Sequence, residues 1–190
     1  MRFIKCLSFL SIVPFLISCG GEMTREQALD KIANYDSDKA VEVLGASCLV
    51  TTENTLVKST GCFAEGGSDY DAVKKYVTET KTKESSTLSY FITSSKIASY
   101  NTSTYKYLSV TYKNSGSNGF TIDVKQSDER DNTGLVTKMR ETIHDVINDY
   151  GVLVEETLNI YFAYEGTKQG EFEFKTVTTI TFPLNAQLEE

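Results

Sequence analysis

The chain has 190 residues with 19 basic and 26 acidic side chains, a formal charge of −7, one histidine, four cysteines, two prolines and no tryptophan. That acidity argues against nucleic acid as a partner. The length is that of one domain able to bury a real core, and is too short for a two-lobed solute-binding architecture.

Arg2 and Lys5 precede an apolar run of 12 residues, CLSFLSIVPFLI (6–17). A bilayer-spanning helix needs about 20 residues, and Pro14 interrupts this run, so it has the dimensions of a signal-peptide core. It ends in Leu16-Ile17-Ser18-Cys19: an aliphatic residue, a tolerant position, a small residue and a cysteine. This motif resembles the lipobox of bacterial lipoproteins. The resemblance implies a signal peptide over residues 1–18, cleavage before Cys19 and a thioether-linked diacylglycerol on Cys19. Such a chain lives in the cell envelope, held on the extracytoplasmic side of a membrane. Gly20 rather than Asp follows the cysteine, which for a lipoprotein of a two-membrane bacterium implies the outer membrane. Two acyl chains hold where one is marginal, each buried CH₂ adding about 0.8 kcal/mol. Residues 19–23 then form the anchor and tether, residues 20–23 reaching roughly 14 Å when extended, and residues 24–190 form one domain.

Thr24 and Gln27 make a capping box for a first helix over 25–35, with Ala28, Leu29, Ile32 and Ala33 on one side. Ala40, Val41 and Leu44 allow a short second helix, while CLVTTENTLVKSTGC (48–62) reads as a hairpin. Residues 69–83 carry both a helical spacing (Val73, Tyr76, Val77, Thr80) and a strand-like composition. TLSYFITSSKIASY (87–100), TYKYLSVTYKN and FTIDVKQ read as strands, the last with Phe120, Ile122 and Val124 alternating against Thr121, Asp123 and Lys125. DERDNTG (128–134) breaks that pattern. Leu135, Val136, Met139, Ile143, Val146, Ile147 and Tyr150 then recur at helical spacing and Gly151 supplies a stop, which predicts a long amphipathic helix over about 133–150. Two strands follow, with Leu158, Ile160, Phe162 and Tyr164 on one parity of the first. Phe172, Phe174, Ile180 and Phe182 share a parity of the second, opposite to Glu171, Glu173 and Lys175. The expected fold class is α+β: one curved antiparallel sheet, half-barrel-like, with the N-terminal helix and the long helix packed on it.

Cys6 leaves with the signal and Cys19 takes the lipid, leaving Cys48 and Cys62. Export permits a disulfide between these two, closing a loop of about 15 residues; two buried thiols are the alternative. Residues 22–71 carry 4 basic and 10 acidic side chains, residues 72–127 carry 8 and 3, and residues 128–190 carry 5 and 13. The basic middle block, led by Lys74, Lys75, Lys81 and Lys83, reads as a patch for anionic headgroups or an acidic partner, or as a solvated face balanced by its flanks. His144 stands away from the apolar stripe. Neither Asp128, Glu129, Asp131 and Asn132 nor Asp36 and Asp38 fit a calcium loop, and turn or cap roles suffice for them. No catalytic, metal or cofactor motif is present.

The lipobox, N-terminal helix, antiparallel sheet and inserted amphipathic helix together resemble the LolA/LppX-like half-barrel lipoproteins. That resemblance implies an acyl chain or other apolar ligand held between sheet and helix. The residues facing it would be Met139, Ile143, Val146, Ile147 and Tyr150 from the helix, and Leu158, Ile160, Phe162, Phe172 and Phe174 from the strands. The alternative is an envelope interaction or structural lipoprotein with a filled core, working through a tyrosine-rich outer surface.

Overall fold

A computed structural model describes residues 21–45, 47–74, 77, 81–85, 100 and 105–182. The segment expected to be a signal peptide (1–18), Cys19 and most of the strand expected over 87–100 lie outside the described residues, as does Lys75 of the basic block. The chain enters as a two-residue strand β1 (Glu22–Met23), then α1 (Arg25–Ala33), α2 (Ser37–Leu44), β2 (Cys48–Gly61), α3 (Tyr70–Lys74) and β3 (Lys81–Ser85). Five strands complete it: β4 (Tyr107–Asn114), β5 (Phe120–Asn132), β6 (Leu135–Ile147), β7 (Leu153–Gly166) and β8 (Gly170–Thr181). Seven of the eight strands among the described residues are substantial, and all eight pair antiparallel in one open sheet of order β1-β4-β5-β6-β7-β8-β2-β3. The α+β class holds at this level.

The capping box expected at Thr24 and Gln27 is met in atomic detail, and the helix it opens ends at Ala33 rather than at 35. Thr24 Oγ1 accepts from the Gln27 amide at 3.2 Å and Gln27 Oε1 accepts from the Thr24 amide at 2.8 Å. Asp36 opens α2 in the same way, its Oδ1 accepting from the Asp38 and Lys39 amides at 3.0 Å each, which is the cap role.

The long helix over 133–150 is not there; residues 135–147 are strand β6, paired along its whole length with β5 and β7. The reason is geometric. Leu135, Met139, Ile143 and Ile147 are four residues apart. That step stays on one face of a helix, and it is also two full pleats of a strand. Glu141 and Asp145 occupy the intervening inward positions and hid the alternation. DNTG is a hairpin turn rather than a helix start: Asn132 pairs with Leu135, and Thr133 and Gly134 both have positive φ, 46° and 88°, the type I′ geometry that matches strand twist. A β-branched residue is a poor choice at a positive φ. Thr133→Asn is therefore expected to stabilise the domain by about 0.5–1 kcal/mol, raising the melting temperature by roughly 1–4 °C; an unchanged or lower value in a thermal scan contradicts this.

The hairpin expected at 48–62 is also corrected. Residues 48–61 form one 14-residue strand lying between β8 and β3, with a bulge at Val57. Cys48 and Cys62 consequently stand at opposite ends of it, roughly 45 Å apart at about 3.4 Å per residue. Both are free thiols, and a bridge, which needs Cα atoms within about 7 Å, is out of reach.

Register sorts the side chains into two faces. Tyr112, Phe120, Ile122, Val124 and Ile147, with Leu153 and Ile180, make the apolar face and form the core with Ala28 of α1 and Ala40 of α2. Phe120 and Ile122 are fully buried. Helices α1 and α2 thus cover one end of this face, the end where β5 begins and β6 finishes. Above the same face, Tyr100 donates to Asp145 Oδ2 at 2.6 Å and Tyr105 donates to Glu141 Oε2 at 3.3 Å. The two inward carboxylates of β6 thereby receive the chain as it approaches β4.

Candidate functional site

Of the ten residues expected to face a ligand, eight share the apolar face. Met139, Ile143 and Ile147 of β6 pair across to Phe162, Leu158 and Leu153 of β7, while Phe162 and Ile160 pair onward to Phe172 and Phe174 of β8. Two do not belong: Val146 pairs with Thr121 and Glu155 on the opposite face, and Tyr150 lies in the turn after β6, packed against the core. None of them borders a gap between a 133–150 helix and the sheet, because that helix is itself a strand of the sheet.

Several of the eight are packed by neighbouring side chains. Ile147 and Phe174 are buried in the core. Phe63, from the turn after β2, inserts between the ends of β7 and β8, with ring centroids 5.7 Å from Phe162, 5.2 Å from Tyr164 and 5.1 Å from Phe172. Such edge-on and stacked contacts each add about 0.5–1.5 kcal/mol beyond burial. Phe63 is itself buried, its turn fixed by Ser59 Oγ donating to the Phe63 carbonyl at 2.6 Å. A filled aromatic cluster therefore occupies the end of the apolar face remote from α1 and α2.

Among the described residues a cleft of about 400 Å³ lies between Tyr35, Lys39, Asn118 and Asp149, and further open space lies on the other, polar face of the sheet. Two clefts of about 430 and 560 Å³ adjoin there and share Tyr161 and Glu165 as walls. The first extends to Thr60, Ala163 and Glu171, the second to Tyr107, Glu129 and Lys138. Together they form a groove across β4 to β8 and β2, in the half of the sheet away from the helices.

Tyr161 is the centre of that groove. The Arg140 guanidinium lies 4.0 Å from its ring centroid, a cation–π stack, and its hydroxyl donates to Glu171 Oε2 at 2.8 Å. Lys58 of β2 pairs with the other oxygen of Glu171, and Lys138 pairs with Glu165 at 2.8 Å. One chain of contacts thus runs Arg140, Tyr161, Glu171, Lys58 across four strands. Its electrostatics agree: Lys58 first, then Tyr161, holds the Glu171 carboxyl below its ordinary range. Burial, then the bond to Glu171, pushes the Tyr161 hydroxyl up. Ion pairs this exposed add little to stability; what they determine is the pose of Tyr161. Tyr107, 61% exposed, stands free along the same groove.

An amphipathic aromatic, a stacked guanidinium and flanking charges of both signs suit binding of a polar partner. The sole histidine lies elsewhere on the polar face, its Nδ1 2.6 Å from Asp123 Oδ1, with Lys113 bonding the second Asp123 oxygen at 3.3 Å. Among the described residues no group of three or more His, Cys, Asp or Glu side chains is placed to hold a metal. The calcium-like oxygens are accounted for otherwise, with Asp128 bonded to Arg130 at 2.6 Å and Asp36 capping α2.

Sequence reading found the wet parity of β8, including Glu171, but missed Lys58, Lys138, Arg140 and Tyr161 as a group. Reading 135–147 as a strand would have put Lys138 and Arg140 on one parity; nothing local marks Lys58, whose side follows from the bulge at Val57. Family models, curated proteins and solved structures give no match to this chain.

Proposed function

We propose that the chain is a membrane-anchored bacterial lipoprotein, acylated on Cys19, whose domain is an envelope interaction module working through the Tyr161 groove. The anchoring half rests on the lipobox Leu16-Ile17-Ser18-Cys19 at the end of a short apolar run. The interaction half is carried by one observation: the two adjoining clefts open on the polar, tyrosine- and charge-lined face, whereas the remote end of the apolar face is filled by Phe63, Phe162, Tyr164 and Phe172. The half-barrel reading, an apolar ligand under a lid helix, loses the 133–150 helix on which it was built.

The test has two arms. Labelled palmitate is expected to enter the wild-type protein and not Cys19→Ser, which leaves the membrane fraction; a wild type that takes no label ends the lipoprotein reading. Photo-crosslinking side chains at Tyr107 and Tyr161 are expected to capture an envelope component in intact cells, and one at Thr179, on the same face near the other end of β8, is not. Bound lipid in native mass spectra of the Cys19→Ser domain, with no groove-specific adduct, reverses the choice in favour of a lipid carrier.

A further inference from the structure

We infer that one end of the sheet, formed by the β4–β5 turn (115–119) and the β6–β7 turn (148–152), is the surface that rests on lipid headgroups, which carries the Tyr161 groove outward at the other end. The inference depends on the acylation of Cys19 proposed above.

It begins with β1. Glu22 and Met23 pair with Lys113 and Tyr112, and the Gly21 carbonyl accepts from the Asn114 amide at 3.1 Å. The first described residue is therefore stitched to the last residue of β4. Because β1 runs antiparallel to β4, going backward from Met23 to Gly21 moves along β4 from Tyr112 to Asn114, toward its turn. Only Gly20 separates this pinned point from Cys19. Two residue steps of chain, about 7 Å at full extension, are all that join Cys19 to Gly21. That is half the reach the sequence alone allowed, because β1 removes Glu22 and Met23 from the tether. Acyl chains on Cys19 must enter the membrane beside the β4–β5 turn.

The end so placed is built as a rigid polar platform. Asp149 Oδ1 accepts from the Asn118 and Gly119 amides at 2.9 and 2.6 Å, and those backbone bonds hold its carboxyl below the ordinary range. Tyr35 donates to the Asn118 carbonyl at 3.0 Å, tying the α1–α2 junction to the same turn. Ser115, Gly116, Ser117 and Asn118 are exposed and uncharged, and the exposed Asp149 and the partly buried Lys31, whose Nζ lies 3.5 Å from the Ser117 carbonyl, add one charge of each sign. Such a surface suits the headgroup layer and has nothing to insert into hydrocarbon, so the acyl chains provide the affinity and the platform provides the orientation.

The opposite end follows from strand length. β5 has 13 residues, which at about 3.4 Å each places the Thr133–Gly134 turn roughly 40 Å away. The groove walls belong to that far half: Glu129 late in β5, Lys138 early in β6, Tyr161 and Glu165 late in β7. Anchor and groove are at opposite ends of the same strands.

The chain has no tryptophan, so a single introduced one reports its own position. Ser117→Trp, Tyr107→Trp and Thr167→Trp, made in the acylated protein and bound to phosphatidylcholine vesicles with nitroxide-labelled headgroups, sample the platform, the β4 edge and the far turn. Emission at Ser117→Trp is expected to be quenched several-fold more than at the other two. Should that variant fail to fold, Ser115→Trp on the same turn reads the same surface. Quenching at Tyr107→Trp or Thr167→Trp equal to or above that at the platform means the domain lies on its edge or inverted, and overturns the orientation while leaving acylation intact. A protein without acyl chains that ignores the vesicles overturns the orientation and the lipoprotein reading together.

Discussion

Gly151→Ala is expected to destabilise the domain by about 4 kcal/mol, combining about 1–3 kcal/mol for a side chain at a left-handed backbone position with about 1–3 for overpacking. Gly151 has φ +76° in the turn between β6 and β7, and a Cβ built on it overlaps the Tyr35 ring. Neither side can yield cheaply. The turn is held by Asn148, whose Oδ1 accepts from the Tyr150 and Val152 amides at 3.0 Å each, and Tyr35 is held through its hydroxyl to Asn118. At roughly 2–4 °C per kcal/mol for a domain of this size, the melting temperature should fall by about 10 °C. Gly66→Ala is the control, because Gly66 has φ +82° and a Cβ added there would meet nothing within 4 Å. It should show the backbone cost alone. Adding Tyr35→Ala to Gly151→Ala should recover part of the loss as a coupling energy. Equal penalties at the two glycines would show that the ring contact is not what matters.

Asp145→Ala is expected to cost about 2–5 kcal/mol, the range for removing a buried partner and leaving a hydroxyl unsatisfied beside a new cavity. Asp145 is the one fully buried carboxylate among the described residues, and it accepts from Tyr100 at 2.6 Å. Tyr100→Phe should cost less at neutral pH, about 1.5–3 kcal/mol for a hydrogen bond to a charged group. Its pH signature is distinct. Burial, then the Asp145 charge, pushes the Tyr100 hydroxyl well above its ordinary value of 10.0, and burial does the same to Tyr35. A folded-state pKa raised above the unfolded one means that this contribution is fully present below about pH 10 and is lost as pH climbs past it. Urea midpoints should therefore fall in alkali above about pH 10, more steeply in wild type than in Tyr100→Phe. Ultraviolet titration should show the displaced tyrosines ionising only as the protein unfolds. A Tyr100→Phe variant with the same alkaline slope as wild type would remove Tyr100 from the explanation.

What the sequence determined by itself is whatever depends on neighbours along the chain. The capping box at Thr24 and Gln27 satisfies amides three residues away, and β7 and β8 alternate so cleanly that their faces could be assigned from parity. The resemblance of Leu16-Ile17-Ser18-Cys19 to a lipobox also rests on neighbours along the chain, and the palmitate experiment tests it. Eight of ten expected apolar-face residues proved to share a face even though five of the ten were assigned to the wrong element, since spacings of four residues satisfy both periods. The tertiary structure decided the cases where a local signal was degenerate or where the partner was distant. Glu141 and Asp145 make 135–147 look helical until Gln126, Tyr105 and Tyr100 are seen to receive them on the inward face. Cys48 and Cys62 are close in sequence, yet an extended chain carries them apart. Lys58 and Arg140, 82 positions apart in the chain, join one network around Tyr161 only because β2 returns to lie beside β8. A strand's partner is chosen by the whole sheet, and no window along the chain contains that choice.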